Sequence, residues 1–148
     1  MTFSPPNPIA AIVGTADGRG YWEVTTTGDV YCFGDAQARG NLATKGVHVN
    51  NVDAMATEGP SGTTGYWMTG PTGGVYTFGF ATFHGSFEQT GIHANGSVVG
   101  IATPNNNGYW MTGPTGGVFS FHPGTFPFYG SMGGKSLPAP ITATAAVA

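Results

Sequence analysis

Aromatic and apolar residues recur along the chain in three similar groups. The groups begin at Tyr21, Tyr66 and Tyr109, which lie 45 and 43 residues apart. In each group Trp follows Tyr, and a second aromatic segment comes after a turn rich in Gly and Thr. Within that second segment, aromatic and smaller residues alternate, so that Tyr31 and Phe33 share one face. A period of two residues indicates β-strands rather than helices.

One stretch of eleven residues is repeated almost unchanged. GYWMTGPTGGV occurs at Gly65–Val75 and again at Gly108–Val118, and the related GYWEVTTTGDV occupies Gly20–Val30. The Gly-Pro and Gly-Gly pairs suit the tight loop of a β-hairpin. We expect one strand before each hairpin and a weaker fourth strand after it. The weaker segments are AQARGNL, ATFHGSF and FPFYGSM.

The spacing of these strands predicts an all-β fold of three repeats. Four short strands in a repeat of about 40–50 residues are typical of a propeller blade. The blade-like repeats are placed at residues 9–50, 51–96 and 97–132, after a Pro-rich arm at 1–8 and before a tail at 133–148. The tail segment APITATAAVA is similar to NPIAAIVGTA near the start, which predicts a spare first strand.

Three blades do not close a ring. A closed propeller has about 4–8 blades, so the repeats predict completion by oligomerisation, with the tail strand added to a neighbour's blade. A monomeric β-trefoil, which also consists of three four-stranded units, is the alternative.

The repeat resembles the Gly-Tyr-Trp and Gly-Gly-Val-Phe repeats of actinobacterial surface proteins and of phages that infect those bacteria. It is more distantly similar to the repeats of regulator-of-chromosome-condensation propellers. The resemblance covers Pro8 to Met132 and departs from the pattern after Phe121, where FHPGTFPF replaces the aromatic-Gly pair. It implies a non-enzymatic structural or recognition protein of a phage tail or capsid. Such a protein would be located in the virion and dock to copies of itself or to other virion proteins.

Composition removes several other classes of protein. Aromatic residues make up 13% of the chain, which favours an ordered fold even though charged residues are only 7%. The basic residues Arg19, Arg39, Lys45 and Lys135 are scattered, so no basic patch is predicted and we expect no nucleic-acid partner. No apolar run approaches the roughly 20 residues that span a bilayer, so we expect no membrane insertion. With Cys32 alone, no internal disulfide is predicted.

The polar residues predict neither catalysis nor a metal site. The four histidines do not have the spacing of a zinc site. The aspartates of the first repeat lack the convergent pattern of a calcium loop, and no serine stands in a nucleophile elbow. We therefore expect no enzyme activity, no cofactor and no bound metal.

Two sets of equivalent positions are candidate contacts for a glycan. A Trp ring can stack on the apolar face of a sugar, and its N–H can orient the ligand. The alternative is that the tryptophans pack between sheets. Because Tyr and Trp point to opposite faces of a strand, we expect one member of each pair to be buried. The first set is Trp22, Trp67 and Trp110, and the second set, before the closing glycine of each repeat, is Arg39, His84 and Tyr129.

These positions predict binding to host surface glycans by a virion protein. A bacterial lectin-like module for cell-wall or other glycans, located outside the cell or on its surface, is the alternative function.

Overall fold

A computed structural model describes residues 4–58, 65–93, 95–104, 107–124 and 127–146. These residues form an all-β fold with three antiparallel sheets of three strands each. Each sheet is made by one of the three predicted repeats, which we call units 1, 2 and 3. The strands are rich in Val, Tyr, Trp, Phe and Thr, whose side chains suit a pleated and partly buried surface.

Within each sheet the strands follow chain order. Unit 1 contains β1 (Ile9–Gly14), β2 (Gly20–Thr25) and β3 (Val30–Gly34). Unit 2 contains β4 (Ala54–Thr57), β5 (Gly65–Thr69) and β6 (Val75–Gly79). Unit 3 contains β7 (Gly100–Ala102), β8 (Tyr109–Thr112) and β9 (Val118–Phe121).

The hairpins pair in one register throughout. Each Tyr lies opposite the Phe that ends the third strand, in the pairs Tyr21–Phe33, Tyr66–Phe78 and Tyr109–Phe121.

The prediction of a fourth strand in each unit is wrong. The described residues of the segments AQARGNL, ATFHGSF and FPFYGSM, which we call the fourth segments, contain no strand. In units 1 and 2 each segment leads into a short turn, a 3₁₀ turn at Ala43–Lys45 and the one-turn helix α1 at Phe87–Thr90. A glycine in the left-handed region bends each segment out of the extended conformation that a strand needs. These glycines are Gly40, Gly85 and Gly130, with φ of 105°, 117° and 108°.

A backbone hydrogen bond ties the end of each of these segments to the hairpin of its own unit. The Leu42 N–H donates to the Gly28 carbonyl at 3.3 Å, the Phe87 N–H to the Gly73 carbonyl at 3.2 Å, and the Met132 N–H to the Gly116 carbonyl at 2.9 Å. The three segments are therefore equivalent in position, although none of them joins a ladder.

The three sheets stack one behind another, with their first strands β1, β4 and β7 next to one another. Neighbouring residues of a strand point to opposite faces of the sheet. We call the face that carries Trp22, Trp67 or Trp110 the front face of its unit. The opposite face, with Tyr21, Tyr66 or Tyr109, is the rear face. The front face of each unit packs against the rear face of the next unit.

Two cores fill the spaces between successive sheets. Each contains a Trp from the earlier unit and a Tyr, a Met and a Phe from the later one. The first core includes Trp22, Tyr66, Met68 and Phe78, and the second includes Trp67, Tyr109, Met111 and Phe121. Unit 2 is covered on both faces, so both Tyr66 and Trp67 are buried. The expectation of one buried residue in each Tyr-Trp pair is wrong for this unit.

The tail makes the same backbone hydrogen bond to unit 3 that the start of each later unit makes to the hairpin of the unit before it. The Ile141 N–H donates to the Pro114 carbonyl at 2.9 Å. The same bond, also at 2.9 Å, joins Val52 to Thr26 and Val98 to Pro71. Val52 and Val98 each precede a first strand by two residues. Residues 143–146 therefore occupy the place of a further first strand, although they form no ladder.

No helix in the described ranges has the length and hydrophobicity that a bilayer-spanning segment requires.

Candidate functional site

The three tryptophans make the same hydrogen bond in each unit. The indole N–H of Trp22 donates to the Gln37 carbonyl at 2.9 Å, that of Trp67 to Thr82 at 2.8 Å, and that of Trp110 to Pro127 at 2.9 Å. Each bond fastens the irregular fourth segment of a unit to its front face.

Trp22 and Trp67 are packing residues. Both are buried, and their rings lie 5.9 Å from Tyr66 and 5.3 Å from Tyr109 of the following unit. Neither ring can offer a face to a sugar, which corrects the candidate glycan contacts at these two positions. The physical reason is the next unit, which covers the front face on which each ring lies.

Trp110 differs because no further unit covers the front face of unit 3. Its ring is half-buried, and the Tyr129 ring lies 6.2 Å away in an edge-to-face arrangement. Tyr129 is 85% exposed. These two aromatic residues are the candidate glycan contacts that lie closest together on an open surface.

The second candidate set occupies one position in all three units but has different surroundings. His84 is half-buried, with its ring 6.1 Å from Trp67 and 5.5 Å from Tyr109. Arg39 is half-buried at the equivalent place beside unit 2. Only Tyr129 stands largely in solvent. The six candidate residues therefore do not form one site; the structure brings Trp110 and Tyr129 together and leaves the others at the junctions between units.

Two tyrosines, Tyr66 and Tyr109, anchor these junctions through their hydroxyl groups. The sequence did not predict these bonds. The Tyr66 hydroxyl donates to the Gly40 carbonyl, and the Tyr109 hydroxyl donates to the Gly85 carbonyl. Each bond joins the rear face of one unit to the fourth segment of the unit before it. The exact repetition of Tyr and Gly in the units was the available signal, but the sequence does not say that they meet across a junction.

Burial changes the acidity of both hydroxyls. Loss of solvent raises the pKa of Tyr66 to about 12, against the opposing effect of backbone hydrogen bonding. Burial likewise raises the pKa of Tyr109 above its ordinary value. Both tyrosines are therefore held as neutral donors across the range of pH in which the protein would work.

We expect the free energy of unfolding to fall as the pH rises from about 10 towards about 12. A pKa raised by folding gives stability that is complete below the unfolded value, near 10, and is lost as the pH passes through the folded value. Urea unfolding at a series of pH values measures this slope, and Tyr66→Phe is expected to make it shallower. An unchanged slope in Tyr66→Phe would argue against the assignment.

The front face of unit 3 contains a groove of about 650 Å³. It is lined by Thr112, Val118 and residues 129–132 of unit 3, together with Ile141 and residues 143–145 of the tail. Gly130 has the same place as Gly40 and Gly85, whose carbonyls accept the tyrosine bonds. The Thr112 hydroxyl is buried in the lining and has no hydrogen-bond partner among the described residues.

No family model, curated protein or solved structure matches this chain. The comparison between its own three units is therefore the source of information about the site.

At the other end of the stack, the rear face of unit 1 is also open. Tyr21 is 38% exposed and stacks on Phe33, with 4.8 Å between the ring centres. Ile12 of β1 is exposed as well. The equivalent aromatic residues of units 2 and 3 are buried in the cores. Among the described residues, the front face of unit 3 and the rear face of unit 1 thus lack a neighbouring unit.

A second cavity lies where the first strands meet. It has a volume of about 370 Å³ and is lined by equivalent triplets, residues 12–14, 55–57, 101–103 and 144–146. Among the described residues of its lining there is no ionisable side chain, and the polar groups that these residues offer are threonine hydroxyls and the backbone.

The described residues include no group of three His, Cys, Asp or Glu side chains arranged to hold a metal ion. Partial burial raises the pKa of the Cys32 thiol, which disfavours its reactive thiolate form.

Proposed function

We propose that this protein is a non-enzymatic structural and recognition component of a phage virion, in the tail or capsid, that docks to neighbouring subunits. One observation carries the proposal: the two ends of the stack expose the same faces that are buried between its units. A protein that worked alone would be expected to cover such surfaces with polar residues. The resemblance of its repeats to those of phages of actinobacteria supports the virion as its location.

The arrangement of the sheets supports the blade interpretation over the trefoil. Every strand pair in the described residues lies within one unit, and the first strands line a shared cavity. A trefoil would pair strands of different units in a common barrel. Stacked sheets with their first strands around one axis are the geometry of propeller blades.

The test is to measure the protein in purified particles of the phage that encodes it. We expect peptides of this chain in a fixed ratio to the known tail or capsid proteins after density-gradient purification. A salt-washed sample of the same particles is the control for loose adsorption. Loss of the protein from gradient-purified particles would contradict the virion assignment.

A lectin-like module for surface glycans is the second candidate, and the exposed pair Trp110 and Tyr129 favours it. Aromatic rings that are open to solvent can stack on sugars. A glycan array that compares the wild type with Tyr129→Ala tests this function. Phe80→Ala is a matched control, because Phe80 is also a largely exposed aromatic residue but directly follows β6 of unit 2 and is not part of the groove lining. Equal signals for the two variants, or no binding by the wild type, would remove the glycan function.

A further inference from the structure

We infer that the front face of unit 3 binds the rear face of unit 1 of a second copy of this chain, head to tail. This inference rests on the proposed docking function and specifies its partner and residues. The argument is that the chain builds the same junction twice within itself and carries both halves of a third junction at its two ends.

The front half of the third junction is complete, and among the described residues only the tail covers part of it. Met132 has the same place and the same backbone bond as Leu42 and Phe87. Leu42 is 0% exposed and Phe87 is 1% exposed, whereas Met132 is 43% exposed. Tyr129 next to it is exposed too, although its equivalents lie half-buried at the internal junctions. The difference comes from the missing neighbour and not from the unit itself.

The rear half is present on unit 1. Tyr21 and Phe33 correspond to the pair Tyr66 and Phe78, which fills the first core. Docked in the same way, the Tyr21 hydroxyl of a second copy would donate to the Gly130 carbonyl, as Tyr66 donates to Gly40. Its ring would cover Trp110.

A polar pair adds selectivity to this contact. At the internal junction between units 2 and 3, the Thr69 hydroxyl contacts the Met111 sulfur at 3.8 Å. The equivalent residues at the third junction are Thr112 of one copy and Glu23 of the next. Thr112 has a buried hydroxyl without a partner among the described residues, and Glu23 lies half-buried on the open rear face. The Thr112 hydroxyl would therefore donate to the Glu23 carboxylate.

The tail occupies the position that β1 of the second copy would take in this junction. Residues 143–146 occupy the first-strand place beside β7, with Thr144 against Gly100. The second copy would bring its own β1 to that place, since Pro8–Ile9 corresponds to Pro140–Ile141. β1 pairs with β2 along its length, whereas the tail forms no ladder and is partly exposed. The tail is thus the strand that yields, and it acts as a weak competitor of association.

The contact joins two different surfaces, so it is heterologous. Such an interface does not end at a dimer; it closes into a ring if the rotation permits and otherwise forms a chain. This property gives the test its design, because a variant that blocks one face still has the other.

The experiment measures molar mass by sedimentation velocity over a range of protein concentrations. The wild type is expected to rise in mass with concentration. Tyr21→Ala blocks the rear face and Met132→Glu blocks the front face, and each is expected to weaken association about 30-fold or more, as for a hot-spot residue. A mixture of the two variants is expected to form a dimer and nothing larger, because only one intact front face and one intact rear face remain.

Phe80→Ala, on neither face, is the control and should associate like the wild type. Both blocking changes lie at exposed side chains, and unchanged circular dichroism of each variant verifies the fold. Deletion of residues 139–148 is expected to tighten association about tenfold, since no tail then has to be displaced.

Three results would overturn the inference: a monomeric wild type at all concentrations, self-association that survives both substitutions, or two variants that fail to complement each other. Weaker association after the deletion would overturn the competition by the tail. A monomeric wild type that is nevertheless a fixed component of virions would remove the contact between copies and leave the proposed function standing. Self-association by a protein that is missing from virions would support the contact between copies and contradict the proposed function.

Discussion

Trp67→Ala is expected to lower the free energy of unfolding by about 3–5 kcal/mol, the usual cost of truncating a large buried aromatic residue. Trp67 is fully buried in the second core, where it packs on Tyr109. The change would leave a cavity between units 2 and 3 and remove the indole bond to the Thr82 carbonyl. Equilibrium unfolding in urea, with the slope of the transition compared between variants, measures the loss.

Trp110→Ala is the matched control, because Trp110 makes the equivalent bond to Pro127 but is half-buried at the open end of the stack. Truncation of Trp110 leaves no cavity between two sheets. We therefore expect Trp110→Ala to lower the free energy of unfolding by about half as much as Trp67→Ala, or less. Equal losses would mean that the front face of unit 3 is as well covered as that of unit 2. That result would contradict the description of the third junction as open.

The hairpins and the first strands could be predicted because their signal is local. Alternating side chains and a Gly-rich turn specify β2 and β3 without reference to the rest of the fold. The fourth strand could not be predicted correctly from the same signal. Segments such as ATFHGSF contain apolar residues at strand-like spacing, but those residues serve the junction with the next unit. Phe87, for example, is buried in the second core and not paired in a ladder.

The candidate site shows a different limit. Sequence comparison aligned Arg39, His84 and Tyr129 correctly as equivalent positions, but equivalent positions do not have equal exposure. A residue of the front face or the fourth segment is covered by the unit that follows, and a residue of the rear face is covered by the unit before it. Neither neighbour is encoded in the residue's own repeat. The same holds for Tyr21 and Tyr66, which have the same strand register and opposite environments. Exposure in this fold depends on the place in the stack.

Gly73→Ala is expected to lower the free energy of unfolding by about 2–5 kcal/mol, from backbone strain and overpacking together. Gly73 has a φ of 76°, in the left-handed region, and a Cβ there would come 1.9 Å from Cδ2 of Phe87. The Phe87 ring cannot move aside freely, because it lies between Phe119 at 4.8 Å and Phe121 at 5.3 Å. Urea unfolding again measures the loss.

Two other glycines separate the strain from the overpacking. Gly46 has a similar φ of 69° but no atom within 4 Å of the added carbon, so Gly46→Ala should cost only the left-handed strain of about 1–2 kcal/mol. Gly116→Ala would bring the added carbon 2.6 Å from Cβ of Met132, whose exposed segment is not enclosed by a following unit and can shift, so its loss should fall between the two. If all three variants lost the same stability, the strain alone would explain them. The packing of each fourth segment against its hairpin would then contribute nothing, and the equivalent hairpin glycines Gly28, Gly73 and Gly116 would be explained by the turn itself.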